Sequence, residues 1–185
     1  MARAQPIIGI DPDNDLLINA TLILPVRVAE LVQWEKYMDD PLRVYELHQM
    51  RIAAKRLRYT MEIVAKFYGE EFGRAIDRVK QFQEMLGQIH DADVLVPLLA
   101  EHARRCLPRG RKRDLRLGVY AGDVPGAAGL VSLCRRKRAE REQLYQDFRI
   151  AWRKARRSGL FERIRAEVLS AAFPLKSTGH LSDDD

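Results

Sequence analysis

Cysteine is scarce: Cys106 and Cys134 are the only two in 185 residues, which excludes a disulfide framework. Long apolar runs are missing too, and none approaches the roughly 20 residues needed to cross a bilayer. The stretch from Met1 to Leu17 has one Arg and three Asp and no apolar stretch of a secretory leader. No membrane partner and a cytoplasmic address are therefore expected. No strand pattern and no internal repeat appear.

Residue sets that carry catalysis are equally thin. Gly118, Gly122, Gly126 and Gly129 are not followed by Lys-Ser or Lys-Thr, so no phosphate-cradling loop is present. His90, Asp91 and Asp93 lie close together, and His102 and Cys106 have i,i+4 spacing. Neither group reaches three or four ligands at a recognised metal spacing. No nucleophile and base can be paired. A non-catalytic protein without metal or cofactor is expected. A metal-dependent phosphohydrolase is kept as an alternative; it would need acids along a basic surface where Glu62 stands alone.

What is present is charge and helix. Hydrophobic residues make up 46% and charged residues 31%, the balance of a folded chain. The net charge is +6, but His102 to Arg157 holds 17 Lys/Arg against 5 Asp/Glu. Such asymmetry favours an anionic partner, although a solvated helix face gives the same count. Residues 1–15, with Pro6, Gly9 and Pro12, read as a loose arm, and 173–185 as a mobile tail. Between them, 16–172 reads as an all-α bundle of four to six helices. Residues 16–38 are apolar and helical in their second part, with Pro25 near the helix start. Asp39-Asp40-Pro41 reads as the cap and first turn of a helix reaching Tyr68. A third helix runs from Glu71 to Gly87, and a further stretch from Val94 to Arg105. Residues 107–129 read as a loop, followed by a basic helix from Leu130 to Arg157 and a short last helix.

The second helix carries the clearest pattern. Leu47, Met50, Ala54, Leu57, Met61 and Val64 recur at three- and four-residue steps and form a buried seam. His48, Arg51, Lys55 and Arg58 fall within about 80° of arc beside it, one turn apart. Like charges so spaced repel unless acids or a bound anion offset them. Only Glu62 lies on the same stripe, at its end. A row of cations suits an extended polyanion better than one phosphate, because arginine makes planar bidentate contacts and lysine adds a point charge. Pairing with acids on a neighbouring helix remains the other reading. Nucleic acid is the alternative polyanion, but aromatics for base stacking are not interleaved with Arg113, Arg116, Arg135 or Arg138.

The segment Leu47-His48-Gln49-Met50-Arg51-Ile52-Ala53-Ala54-Lys55-Arg56-Leu57-Arg58-Tyr59 resembles the signature helix of the CHAD domain, the conserved histidine α-helical domain. About 30 residues on, Leu86-Gly87-Gln88-Ile89-His90-Asp91-Ala92-Asp93-Val94-Leu95 is similar to that family's second motif. The resemblance implies an all-α domain whose basic inner surface binds inorganic polyphosphate, with localisation to polyphosphate granules. By position, His48, Arg51, Lys55 and Arg58 would face the ligand. Arg56 is included although it lies near the opposite side of the wheel. Arg135, Arg138 and Arg141, matched by charge and order alone, would supply an opposite wall. Gly87 would permit close helix packing, and Asp91 would be structural or pair with a cation. The family arrangement resembles two related halves around a basic channel, and this chain has one clear motif copy. A homodimer completing the channel is therefore expected, with its contact formed by apolar residues from Leu16 to Trp34.

Overall fold

The computed structural model describes residues 4–106 and 127–172, and among these the chain is all α-helix and turn. The helices are α1 (Leu16–Val32), α2 (Val44–Val64), α3 (Glu70–Cys106), α4 (Ala127–Arg157) and α5 (Leu160–Ala172), with short 3₁₀ turns at Glu35–Tyr37 and Ala65–Phe67. Consecutive helices α1 to α4 pack on one another, and α5 returns to lie on α1. The expected loop at 107–129 and the tail at 173–185 fall almost wholly outside the described residues.

Asp15 starts α1 by accepting the Leu17 N–H at 2.7 Å. The helix then runs through Pro25, so the proline lies inside the helix and not near its start. Burial of Leu24, Val28 and Leu31 holds α1 in place on both sides of Pro25. Leu16–Tyr37 is long and apolar enough to cross a membrane by length and composition; the charges at Arg27 and Glu30 interrupt the run without ending it. Residues ahead of α1 are tied down: Asn19 donates to the Asp11 carbonyl at 2.8 Å, and Gln5 N–H donates to Glu30.

Other helix boundaries also differ from the sequence reading, and α4 starts at Ala127 where a loop to residue 129 was expected. Asp40 does not cap α2; its carboxylate accepts the Leu42 N–H at 2.9 Å and makes a tight turn, so the helix starts three residues after Pro41. Residues Glu70–Cys106 form one helix instead of two. A single helical glycine costs about 1 kcal/mol, and the packing of Phe82, Leu86 and Ile89 on either side of Gly87 outweighs it.

All six seam residues of α2 are buried. They meet Val79, Phe82, Leu86 and Ile89 of α3, and Phe148 and Trp152 of α4, in one core. Trp152 stands at its centre, with ring centroids 5.3 Å from Phe82 and 5.0 Å from Phe161. Its indole N–H donates to Glu35 at 3.1 Å, so the large ring is buried without stranding its polar atom. Farther along, Leu99 and Ala103 of α3 and Ala127 and Cys134 of α4 are buried, apart from this main core.

Candidate functional site

The site follows from one hairpin. Helices α2 and α3 are joined by residues 65–69, with Gly69 directly before α3, and run antiparallel. The observed contacts pair residues equidistant in sequence from Gly69. Two contacts fix this register. His48 lies against His90, with ring centroids 4.1 Å apart and planes inclined by 33°. Arg51 lies over Gly87, where its Nε is 3.6 Å from the position a Cβ would take. The groove between α2 and α3 thus has the stripe of α2 on one side, with the His90 imidazole and Gly87 against its His48 and Arg51.

His48, Arg51 and Arg58 are half-buried, while Lys55 is exposed. Tyr59 supports the far end: the Arg58 guanidinium lies 4.3 Å from its ring centre and the Lys55 ammonium 5.6 Å. Such cation–π contacts hold long side chains in place without neutralising them. Glu62 approaches Arg58 Nε at 3.3 Å, though not in the alignment of a hydrogen bond. Burial holds the His48 imidazole below its ordinary pKa of 6.5, and His90 and Arg51 add to the effect by opposing a further positive charge. Free His48 is therefore neutral at pH 7. The Nδ1 atoms of both imidazoles are buried without a hydrogen-bond partner.

The other basic residues singled out from the sequence lie elsewhere. Arg56 points toward α1, 3.9 Å from the buried carboxylate of Glu30. Arg141 is tied into the fold by Asp93 at 2.9 Å and the Pro41 carbonyl at 2.7 Å. Asp93, not Asp91, holds that cation; Asp91 is exposed beside Lys137 and Arg141. Arg135 is exposed on α4. Arg138 borders a crevice of about 390 Å³ with Leu42, Val44, Val96 and Pro97, at the end of α2 where the stripe begins.

Much of the charge on α4 is spent inside the fold. Arg149 and Arg153 both reach Asp39 at 2.6 Å. The bond from Arg149, followed by the charge of Arg153, holds the Asp39 carboxyl below its usual range. Arg156 bridges Glu35 at 3.2 Å and Glu162 at 3.0 Å. These ion pairs fasten α4 to the 35–41 corner and to α5. Gly87 also has a different use from the expected one. No other atom of a neighbouring helix lies within 4 Å of its would-be Cβ, so the missing side chain makes room for Arg51.

His90 is the site residue that the sequence reading weighed only as a metal ligand and set aside. Its signal was the hairpin register: folding the sequence back about Gly69 pairs position 48 with position 90. Among the described residues no group of three or more His, Cys, Asp or Glu is placed to hold a metal ion.

Residues 24–100, which include α2, most of α3 and both motifs, match the CHAD domain family. No curated protein and no solved structure matches the chain.

Proposed function

We propose, from the premise that this chain carries a partial CHAD domain, that it binds inorganic polyphosphate without transforming it. The observation that supports this most is the stripe itself. His48, Arg51, Lys55 and Arg58 lie along one face of α2, and among the described residues Glu62 of the same helix is the one acid that pairs with any of them. Ten residues of helix at about 1.5 Å each extend about 15 Å, the length of several linked phosphates and much longer than one. Guanidinium and ammonium groups at one-turn intervals recognise the repeating negative charge.

A second reading is favoured by Tyr59, which is 45% exposed under two cations. An aromatic face so placed can stack on a base of single-stranded nucleic acid. Calorimetric titration with long-chain polyphosphate and with single-stranded RNA, at matched phosphate concentration, separates the two. Polyphosphate should bind more tightly, and its affinity should fall steeply as salt rises, because each neutralised phosphate releases counterions. Each stripe cation should contribute about 1 kcal/mol or more, so the variant Arg51→Ala/Lys55→Ala/Arg58→Ala should bind about a hundredfold more weakly. Tighter RNA binding that depends on Tyr59, or full affinity in the triple variant, would overturn the polyphosphate reading.

A further inference from the structure

We propose that His48 and His90 act as one proton-accepting unit, so that the groove takes up a proton when it takes a phosphate chain. His90 thereby becomes a further residue of the binding surface. This rests on the reading of the stripe as a phosphate-chain site, and it names how that site is regulated.

The geometry carries the case. The two imidazoles come from separate helices and sit 4.1 Å apart, with Arg51 one turn farther along α2 and held over Gly87. Two imidazolium ions so close, beside a guanidinium, repel one another strongly in a half-buried setting. A carboxylate would relieve that repulsion, yet among the described residues none makes an ion pair with either imidazole. The charged group facing the pair from α2 is Arg51. On α3 the neighbouring Asp91 and Asp93 lie toward α4, where Asp93 binds Arg141 at 2.9 Å and Asp91 borders Lys137. His48 therefore lacks the counter-charge that would favour its protonated form.

A phosphate chain lying on Arg51 supplies that counter-charge. It favours the protonated imidazole, which can then donate to a phosphate oxygen. The sign follows directly. Free His48 is held below its ordinary value, and the bound anion raises it. Between the two values, binding takes up protons and tightens as pH falls, by up to about tenfold per pH unit for each proton gained. The site thus grips phosphate chains in mildly acidic surroundings and loosens its hold above neutrality, while Arg51, Lys55 and Arg58 keep their charge throughout.

The test uses the full chain and long-chain inorganic polyphosphate, whose interior phosphates keep a constant charge over the range. Affinity is measured between about pH 5.5 and about pH 8, where histidine titrates, and proton uptake is read by calorimetry in buffers of different ionisation enthalpy. Affinity should rise about tenfold or more toward the acid end, with net proton uptake. His48→Gln/His90→Gln should bind more weakly with a flat profile. Each single variant should lose most of the pH dependence, since removing either ring dissolves the unit. Independent titration would instead divide the loss evenly between the two singles and overturn the coupling. A wild-type affinity indifferent to pH, or a slope that survives in the double variant, overturns this inference and leaves the binding reading intact. Absence of binding at every pH overturns both. In the ligand-free protein, His90→Phe keeps a flat ring against His48. The His48 ring-proton midpoint should rise in that variant, and an unchanged midpoint in a folded variant also refutes the pairing.

Discussion

Replacing Gly87 offers a sharp check on the groove, because two substitutions at one position should act in different ways. A Cβ built there would lie 3.6 Å from Arg51 Nε and within 4 Å of no other atom outside its own helix turn, an ordinary van der Waals distance. Gly87→Ala therefore removes the conformational freedom of glycine at no steric cost. The gain is about 0.5–1 kcal/mol, most of it through a less disordered unfolded chain. For a protein of this size that amounts to a rise of about 2–4 °C in melting temperature. Thermal unfolding followed by circular dichroism measures it. Gly87→Leu keeps the helical benefit but extends carbon atoms into the space of the Arg51 guanidinium. Loss of one charge-assisted contact, about 1.5 kcal/mol, predicts roughly tenfold weaker polyphosphate binding in a protein that melts no lower than the wild type. A drop in melting temperature for Gly87→Ala would mean that backbone or core atoms, not a movable arginine, lie against this position. Unchanged affinity for Gly87→Leu would mean that Arg51 does not use this space to bind.

Glu30 should matter for stability and little for binding. It is 2% exposed, pairs with Arg27 at 2.8 Å and accepts the Gln5 N–H. Glu30→Ala should cost about 2–3 kcal/mol in chemical denaturation, below the 3–5 of a fully buried pair because Arg56 retains access to water; a loss under about 0.5 kcal/mol refutes this. Self-association is the other expectation we carry forward, as a homodimer strengthened by polyphosphate through linkage. Of the expected contact along α1, Leu24, Val28 and Leu31 are buried in the monomer while Leu16 and Ile18 stay exposed; exposed Leu42 and Val44 beside the crevice offer a further one. Light scattering at micromolar protein with and without polyphosphate decides, and a monomeric mass in both conditions defeats the dimer.

The core of α2 was legible from sequence because its periodicity reports directly which residues face inward. All six seam positions are buried, and the cationic stripe follows as their neighbour on the wheel. The boundary at Pro41 was misread because the carboxylate of Asp40 can serve a tight turn as readily as a helix N-terminus. The break assigned at Gly87 failed for a similar reason: local propensity weighs about 1 kcal/mol, less than burial of the large side chains flanking it. The charge surplus of α4 was visible but its use was not. Arg141, Arg149, Arg153 and Arg156 find their acids at Asp93, Asp39 and Glu35, which lie far away in sequence. A charge count cannot distinguish a cation that meets solvent from one that fastens two helices.

The hairpin register also bears on what a single copy of the motif can do. His48, Arg51, Gly87 and His90 come together through contacts between α2 and α3, joined by the short connection 65–69. Both contacts lie within one chain. A second copy would therefore add length to the cationic surface without adding a new kind of contact. Chemistry within one groove and avidity between grooves become separable properties. Short phosphate chains report the first and chains long enough to bridge two grooves report the second. If pairing of copies were required to form the groove itself, disrupting the pair would abolish binding of short chains as well. The geometry of the hairpin predicts that short-chain affinity survives.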